Sequence, residues 1–211
     1  MPNFDPLAKP YRWLEYLTFG PYLQRTRTHF LNELTHRRQA LVLGDGDGRF
    51  TAQLLQINPQ IQIHAVDISP KMLAALQKSA GPNVNRVTIE AVDLRHWSPN
   101  QNTQYDLIAT HFVLDCLTTE EITHLTQRLA PSIAPGAQWL VSDFAIPPNR
   151  FGHLLAAPLI ACLYASFRLL TGLRLTHLPN HQSALEKSGW TLQSHYPHLN
   201  GLLISQLWQR T

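Results

Sequence analysis

Two groups of residues in the first third of the chain have the types and spacing to hold a ribose-bearing ligand. The first is the turn Val42-Leu43-Gly44-Asp45-Gly46-Asp47-Gly48. Its alternating glycines allow a tight bend, a close approach of ligand to backbone, and free N–H groups where a helix begins. The second is Asp67, about 20 residues further on, where a carboxylate can accept hydrogen bonds from two ribose hydroxyls. Asp93 and His111 follow at the ends of two later apolar runs, with Asp115 and Asp143 flanking the same region. An imidazole titrating near ~6.5 suits a general base, so His111 is the first catalytic candidate. Each has a plainer role open to it. Asp67 can solvate the helix start Ser69-Pro70, Asp93 can close its own loop, and Asp45 and Asp47 can be turn residues.

Those residues need a scaffold that brings strand ends together. From Gln39 onward, short β-rich runs alternate with helical stretches. Strands are expected at Ala40–Leu43, Ile61–Val66, Val87–Val92, Tyr105–Thr110 and Gln138–Ser142, and helices at Phe50–Ile57, Pro70–Ala80 and Glu120–Ala130. The nearly continuous apolar runs at Ala40–Leu43 and Tyr105–Thr110 suit strands covered on both faces. Such alternation predicts an α/β fold, a seven-strand doubly wound sheet of parallel βαβ units with helices on both faces. The last two strands are expected at Thr191–Tyr196 and Leu202–Trp208, after a helix near His181–Ser188. We read residues 1–211 as one domain: a helical cap over 1–38, a cofactor-binding core over 39–145, a helical insertion over 146–180 and a closing unit over 181–211.

Composition narrows the classes. Hydrophobic residues make up 44% of the 211, enough for a sizeable core and too many for wholesale disorder. Charged residues are only 15%, against ~25% in an average domain, which points to an apolar surface somewhere. The net charge is +3 and no nucleic-acid partner is expected; Arg25, Arg27, His29, His36, Arg37 and Arg38 read as a solvated helix face, with a phosphate-binding patch as the alternative. Two cysteines, Cys116 and Cys162, form neither a disulfide framework nor a zinc motif, and no metal site is expected. The cytoplasm is the expected compartment, with no secretory signal at Met1–Pro10. The apolar segment Leu154–Leu173 contains Pro158 and Arg168, so it reads as an amphipathic helix on the core or on a membrane surface rather than a span. Peripheral membrane contact and a homodimer are both open partners for it.

The glycine spacing separates two ligand classes. A nicotinamide site wants a glycine at the sixth position, where Arg49 stands; a glycine at the fifth, here Gly48, is typical of S-adenosylmethionine sites. At this point the chain resembles the class I S-adenosylmethionine-dependent methyltransferases from about Ala40 to Asp143. The matching pieces are Gly44-x-Gly46-x-Gly48, Asp67-Ile68-Ser69-Pro70-Lys71-Met72-Leu73, the Asp93-Leu94 step and Tyr105-Asp106-Leu107-Ile108. Phe4-Asp5-x-x-Ala8-x-x-Tyr11 resembles, over a short stretch, the start of the ubiquinone/menaquinone-biosynthesis methyltransferases.

The resemblance implies S-adenosyl-L-methionine as cofactor. It would place Gly44, Asp45, Gly46 and Gly48 at the methionine and ribose edge, Asp67 on the ribose hydroxyls with Met72 near it, and Ile68, Asp93 and Leu94 on adenine. His111 would lie between cofactor and acceptor. One departure is Val42, where the family usually carries an acidic residue. A small hydrophobic or aromatic acceptor is expected, held by Tyr11, Asp143, Tyr164 and Phe167 under a lid in which Ile160, Tyr164, Phe167 and Thr171 form the free face. His153, His177 and His181 are further candidates near that pocket. Two other readings stay open: a non-catalytic cofactor-binding module, and a nicotinamide-dependent oxidoreductase.

Overall fold

The computed structural model describes residues 19–171 and 177–211. The glycine turn and the acidic strand ends meet because every strand of the first half runs the same way. Strands β1 (Gln39–Leu43), β2 (Gln62–Asp67), β3 (Val87–Ala91), β4 (Tyr105–His111) and β5 (Ile133–Phe144) are parallel. Helices α2 (Arg49–Ile57), α3 (Pro70–Ala80) and α4 (Thr119–Leu129) connect them, and α1 (Tyr22–Thr28) precedes them. The sheet order is β3-β2-β1-β4-β5-β7-β6. The chain therefore reverses direction across the sheet between β1 and β4, and the crevice outside their carboxyl ends is where open α/β sheets bind ligands.

β6 (Trp190–His198) and β7 (Leu203–Arg210) close the sheet as an antiparallel pair, a direction the sequence did not specify. β7 runs antiparallel to both β5 and β6. The reason is the short Leu199–Gly201 turn, which joins neighbours only as a hairpin, whereas parallel strands need a long crossover. Pro197 sits on the edge strand, where a missing N–H costs no ladder bond.

Two apolar layers cover the sheet. Val42, Ala109, Leu140 and Leu207 pack against Phe50 and Leu54 of α2 and Leu73 and Leu76 of α3. Leu41, Ile108, Trp139 and Trp208 pack against Ile122 and Leu125 of α4 and Leu185 of α6 (His181–Lys187). A third cluster joins Phe19 and Leu23 to Leu202, Leu203 and the helix α5 (Ala157–Thr171).

That cluster corrects the expected lid. Ile160 and Tyr164 are 4% and 6% exposed and pack into the third cluster, while Leu154 and Leu155 are 72% and 62% exposed. At Ile160 and Tyr164 the face expected to be free is thus turned to the core, while the side chains of Phe167 and Thr171 lie outside the described residues. Both stripes are apolar, and the choice between them belongs to what lies beneath, namely Phe19, Leu23 and Leu202. No helix among the described residues is long and apolar enough to cross a membrane.

Candidate active site at the β1–β4 crevice

The glycine turn leaves β1 at Gly44, whose φ is +70°, and lies directly against the loop after β4. A Cβ on Gly44 would stand 2.7 Å from Val113 Cβ, closer than real side chains approach. β4 ends at His111, and Phe112 then takes φ +53°, an uncommon conformation for a bulky residue and one that clusters at functional sites. Its N–H donates to Ser142 O at 2.8 Å, which holds the bend against β5.

His111 is 2% exposed and packs 4.2 Å from the Phe50 ring, between centroids. Neither ring nitrogen has a hydrogen-bond partner among the described residues. Burial first, and the charge of Arg27 second, hold the imidazole well below its ordinary pKa, so it is neutral at pH 7. A buried imidazole with both nitrogens unmatched carries a desolvation cost that a bound polar group would remove.

Arg27 was expected on a solvated face. Instead it is 2% exposed, with its guanidinium carbon 5.0 Å above the Phe112 ring. Arg37 is likewise turned inward, donating to Gln138 Oε1 and to the carbonyls of Asp106 and Gly136. Sequence spacing placed these cations on one helix, but the partners that draw them in lie on β4 and β5.

Asp45 is buried against the start of α2. Its carboxylate oxygens accept from Phe50 N at 3.3 Å and Thr51 N at 2.8 Å, so it supplies the first-turn cap that Gly48, at the helix start, has no side chain to provide. Both oxygens of Asp45, expected at the cofactor's methionine and ribose edge, thus also serve the start of α2. Asp47 Oδ1 accepts from Arg49 Nε at 2.8 Å. Burial is the main cause that pushes Asp45 up to about 6. Its folded pKa exceeds its unfolded one, so protonation favours the fold: the contribution is full below pH ~4 and is lost as pH rises through 6. Asp45→Asn, which does not titrate, should therefore gain about 1.4 kcal/mol on the native protein between pH 5 and pH 7.5. Denaturant unfolding of both proteins at the two pH values measures this difference.

On the β2 side, Asp67 Oδ1 accepts from Ser69 N at 2.8 Å. Ser69 caps α3, accepting from Met72 N, with Pro70 in the first turn. Ile68 is half-buried beside them, and Met72 is buried. After β3, Asp93 Oδ1 accepts from Arg95 N at 3.0 Å, and the Arg95 guanidinium pairs with both Asp93 and Glu121. Glu121 is itself half of the Thr118 capping box, so this loop is fixed to the start of α4. Leu94 is buried in the core cluster on that face.

A second group of buried polar residues joins β5, the loop after β4 and α5. Asp143 accepts from Phe144 N at 2.8 Å and Asp115 N at 3.2 Å. Burial raises both carboxyls, Asp115 to about 6, and the charge of Asp115 adds to the rise at Asp143. The Tyr164 hydroxyl donates to Asp115 O at 2.9 Å, tying α5 to the loop after β4. Phe112 and Phe144 stand 5.3 Å apart as a half-buried aromatic wall beside this pair. His181 is buried with Nε2 3.0 Å from Gln206 Oε1, and His177 is exposed. Tyr11 lies outside the described residues, as do the side chains of His153 and Phe167. Among the described residues no cluster of His, Cys, Asp or Glu could hold a metal ion.

Comparison with known proteins matches residues 41–138 to a family described as a methyltransferase domain. The chain is 34% identical over 118 residues to trans-aconitate 2-methyltransferase of Streptomyces avermitilis, covering 54% of this chain and 43% of that one. It is 31% identical over 144 residues to malonyl-[acyl-carrier protein] O-methyltransferase of Halalkalibacterium halodurans, covering 63% and 51%. The chain thus spans about half the length of the curated relatives it matches. The fold superposes on the DhpI–SAH complex with a TM-score of 0.68 at 17% identity, covering 98% of this chain and 93% of the other.

Proposed function

We propose that this protein is an S-adenosylmethionine-dependent methyltransferase acting on a small acceptor with an apolar or aromatic body, a reading supported by the match of residues 41–138 to a methyltransferase domain family. The observation that carries the reading is the crevice itself. A glycine turn too tight for a Cβ at Gly44 faces a buried His111 whose two nitrogens lack partners, with Asp67 at the neighbouring strand end.

These residues fit the cofactor. Gly44 and Gly46 would offer backbone to its methionine and ribose, Asp67 its carboxylate to the ribose hydroxyls, and Ile68 a half-buried apolar face to adenine. Bound there, S-adenosylmethionine supplies an electrophilic methyl group on a sulfonium. The protein's own task is alignment, because a nucleophile held in line at near-attack distance needs little further help. Phe112 and Phe144 hold the acceptor body, taking over the role first expected of α5, and exclude water from the transfer. An acceptor that must lose a proton finds a neutral imidazole in His111, and His111→Asn would then remove the acid limb of the pH–rate profile. An acceptor that is already an anion needs no base.

The experiment is incubation with methyl-labelled cofactor and a fractionated cell extract. Label is expected in the small-molecule fraction. Label in RNA or protein contradicts the acceptor class, and tight cofactor binding with no transfer at all favours the non-catalytic module.

A further inference from the structure

Beside the acceptor wall, α1 and the carboxyl end of β6 enclose a cleft of about 480 Å3. Tyr22, Arg25, Thr28 and His29 line it from one side, Tyr196 and His198 from the other. The His29 ring stacks on Tyr196 with centroids 3.9 Å apart and planes 22° apart, and it meets His198 edge-on at 5.3 Å. No carboxylate is among the lining residues; Glu33, in the turn after α1, is the acid that acts on His29. Burial lowers the pKa of both imidazoles, and the charges of His29 and Arg25 lower His198 further. Three groups that repel one another when charged are thus held around one space.

Hydrogen bonding fixes the orientation of His198. Ser205 Oγ donates its single proton to Thr26 O at 2.7 Å, so His198 Nε2, 3.0 Å from that oxygen, must be the donor between them. Nδ1 is left as the nitrogen that gains a proton. At the rim, Leu199 and Asn200 hold φ +46° and +54°, left-handed geometry that non-glycine residues adopt at a cost.

We propose that this cleft is an anion subsite that binds a carboxylate or phosphate end of the methyl acceptor, through Arg25, His29 and His198. The inference rests on the reading of the chain as a transferase to a small acceptor. α1 carries Arg25 at the cleft and Arg27 over Phe112, so one helix spans the cleft and the acceptor wall. β6 lies three strands from β4. At ~4.8 Å per strand that is about 15 Å, the reach of an acceptor with an acidic end in the cleft and its nucleophile over β4. The Tyr22 and Tyr196 rings flank the apolar part next to the anion.

The test uses inorganic phosphate as probe against chloride at matched ionic strength, with the histidine C–H signals followed by NMR through a pH titration. Phosphate should raise the pKa of His29 and His198 by about one unit and leave His64, on β2, unmoved. Arg25→Gln should weaken phosphate binding about tenfold, the loss of one charge-assisted contact, while S-adenosylhomocysteine still binds. Unmoved His29 and His198 signals, or an equal response in Arg25→Gln, overturn the subsite and leave the methyltransferase reading standing. Once an acidic acceptor is in hand, Arg25→Gln should raise its KM with kcat kept. An unmoved KM overturns the assignment of the cleft to the acceptor.

Discussion

Gly48→Ala should destabilise the fold by about 3 kcal/mol, by adding strain and overpacking at one position. Gly48 has φ +79°, which costs an L-residue roughly 1–2 kcal/mol. An added Cβ would also stand 2.6 Å from Leu76 Cα and 2.7 Å from Leu76 Cγ, so the backbone of α3 would have to move away from α2. Overpacking of that kind costs about 1–3 kcal/mol more. Gly136 is the internal control. Its φ is +69°, but nothing lies within 4 Å of an added Cβ, so Gly136→Ala should cost only the conformational part. Chemical denaturation read by tryptophan fluorescence compares the two, since Trp139, Trp190 and Trp208 are all buried. Equal losses would mean that α2 and α3 do not close on the glycine turn.

The second large effect is on cofactor affinity. Asp67→Ala should weaken S-adenosylhomocysteine binding by about 2 kcal/mol, roughly thirtyfold, because two ribose hydroxyls would lose a charged acceptor. The same oxygen that caps Ser69 N is removed in this variant, so part of the loss could come from a loosened α3 start. Asp67→Asn separates the two causes. Its amide oxygen still accepts from Ser69 N, but it no longer offers a carboxylate to a diol. Affinity restored by Asn would assign the loss to the turn, and affinity still low would assign it to the ribose contact. Calorimetry on both variants decides.

How far the sequence foretold these results depends on whether the signal was local. β1 and β4 were readable because a strand buried on both faces needs an unbroken apolar run, and Ala40–Leu43 is fully buried in the structure. The start of α3 was equally readable, since Ser69 and Pro70 act within one turn of themselves. Three features were not local. Which apolar stripe of α5 faces inward was set by Phe19, Leu23 and Leu202. The fate of Arg27 was set by Phe112, whose left-handed bend leaves no mark in composition. The hairpin direction of β7 followed from a short connection that reads in sequence as an ordinary loop.

The candidate site divides the same way. The glycines and Asp67 sit on adjacent strand ends because β1 and β2 are consecutive and parallel. Asp45 also serves the bare N-terminus of α2, a demand visible only once Gly48 is known to start that helix. The Arg25–His29–His198 cleft was invisible, because its two sides are some 170 residues apart in sequence and meet only through the β5–β7 pairing that brings α1 to the sheet edge. What hinted at it was the density of basic residues near Arg25, for which a phosphate-binding patch stood as the alternative to a solvated helix face.

Titration of S-adenosylhomocysteine and, separately, NADH into the folded protein tests the central claim most directly, because both ligands suit a glycine turn followed by an acidic strand end. The account predicts saturable micromolar binding of S-adenosylhomocysteine and none of NADH, with Asp67→Ala weakening the former. Binding of NADH without S-adenosylhomocysteine, or of neither, would contradict it.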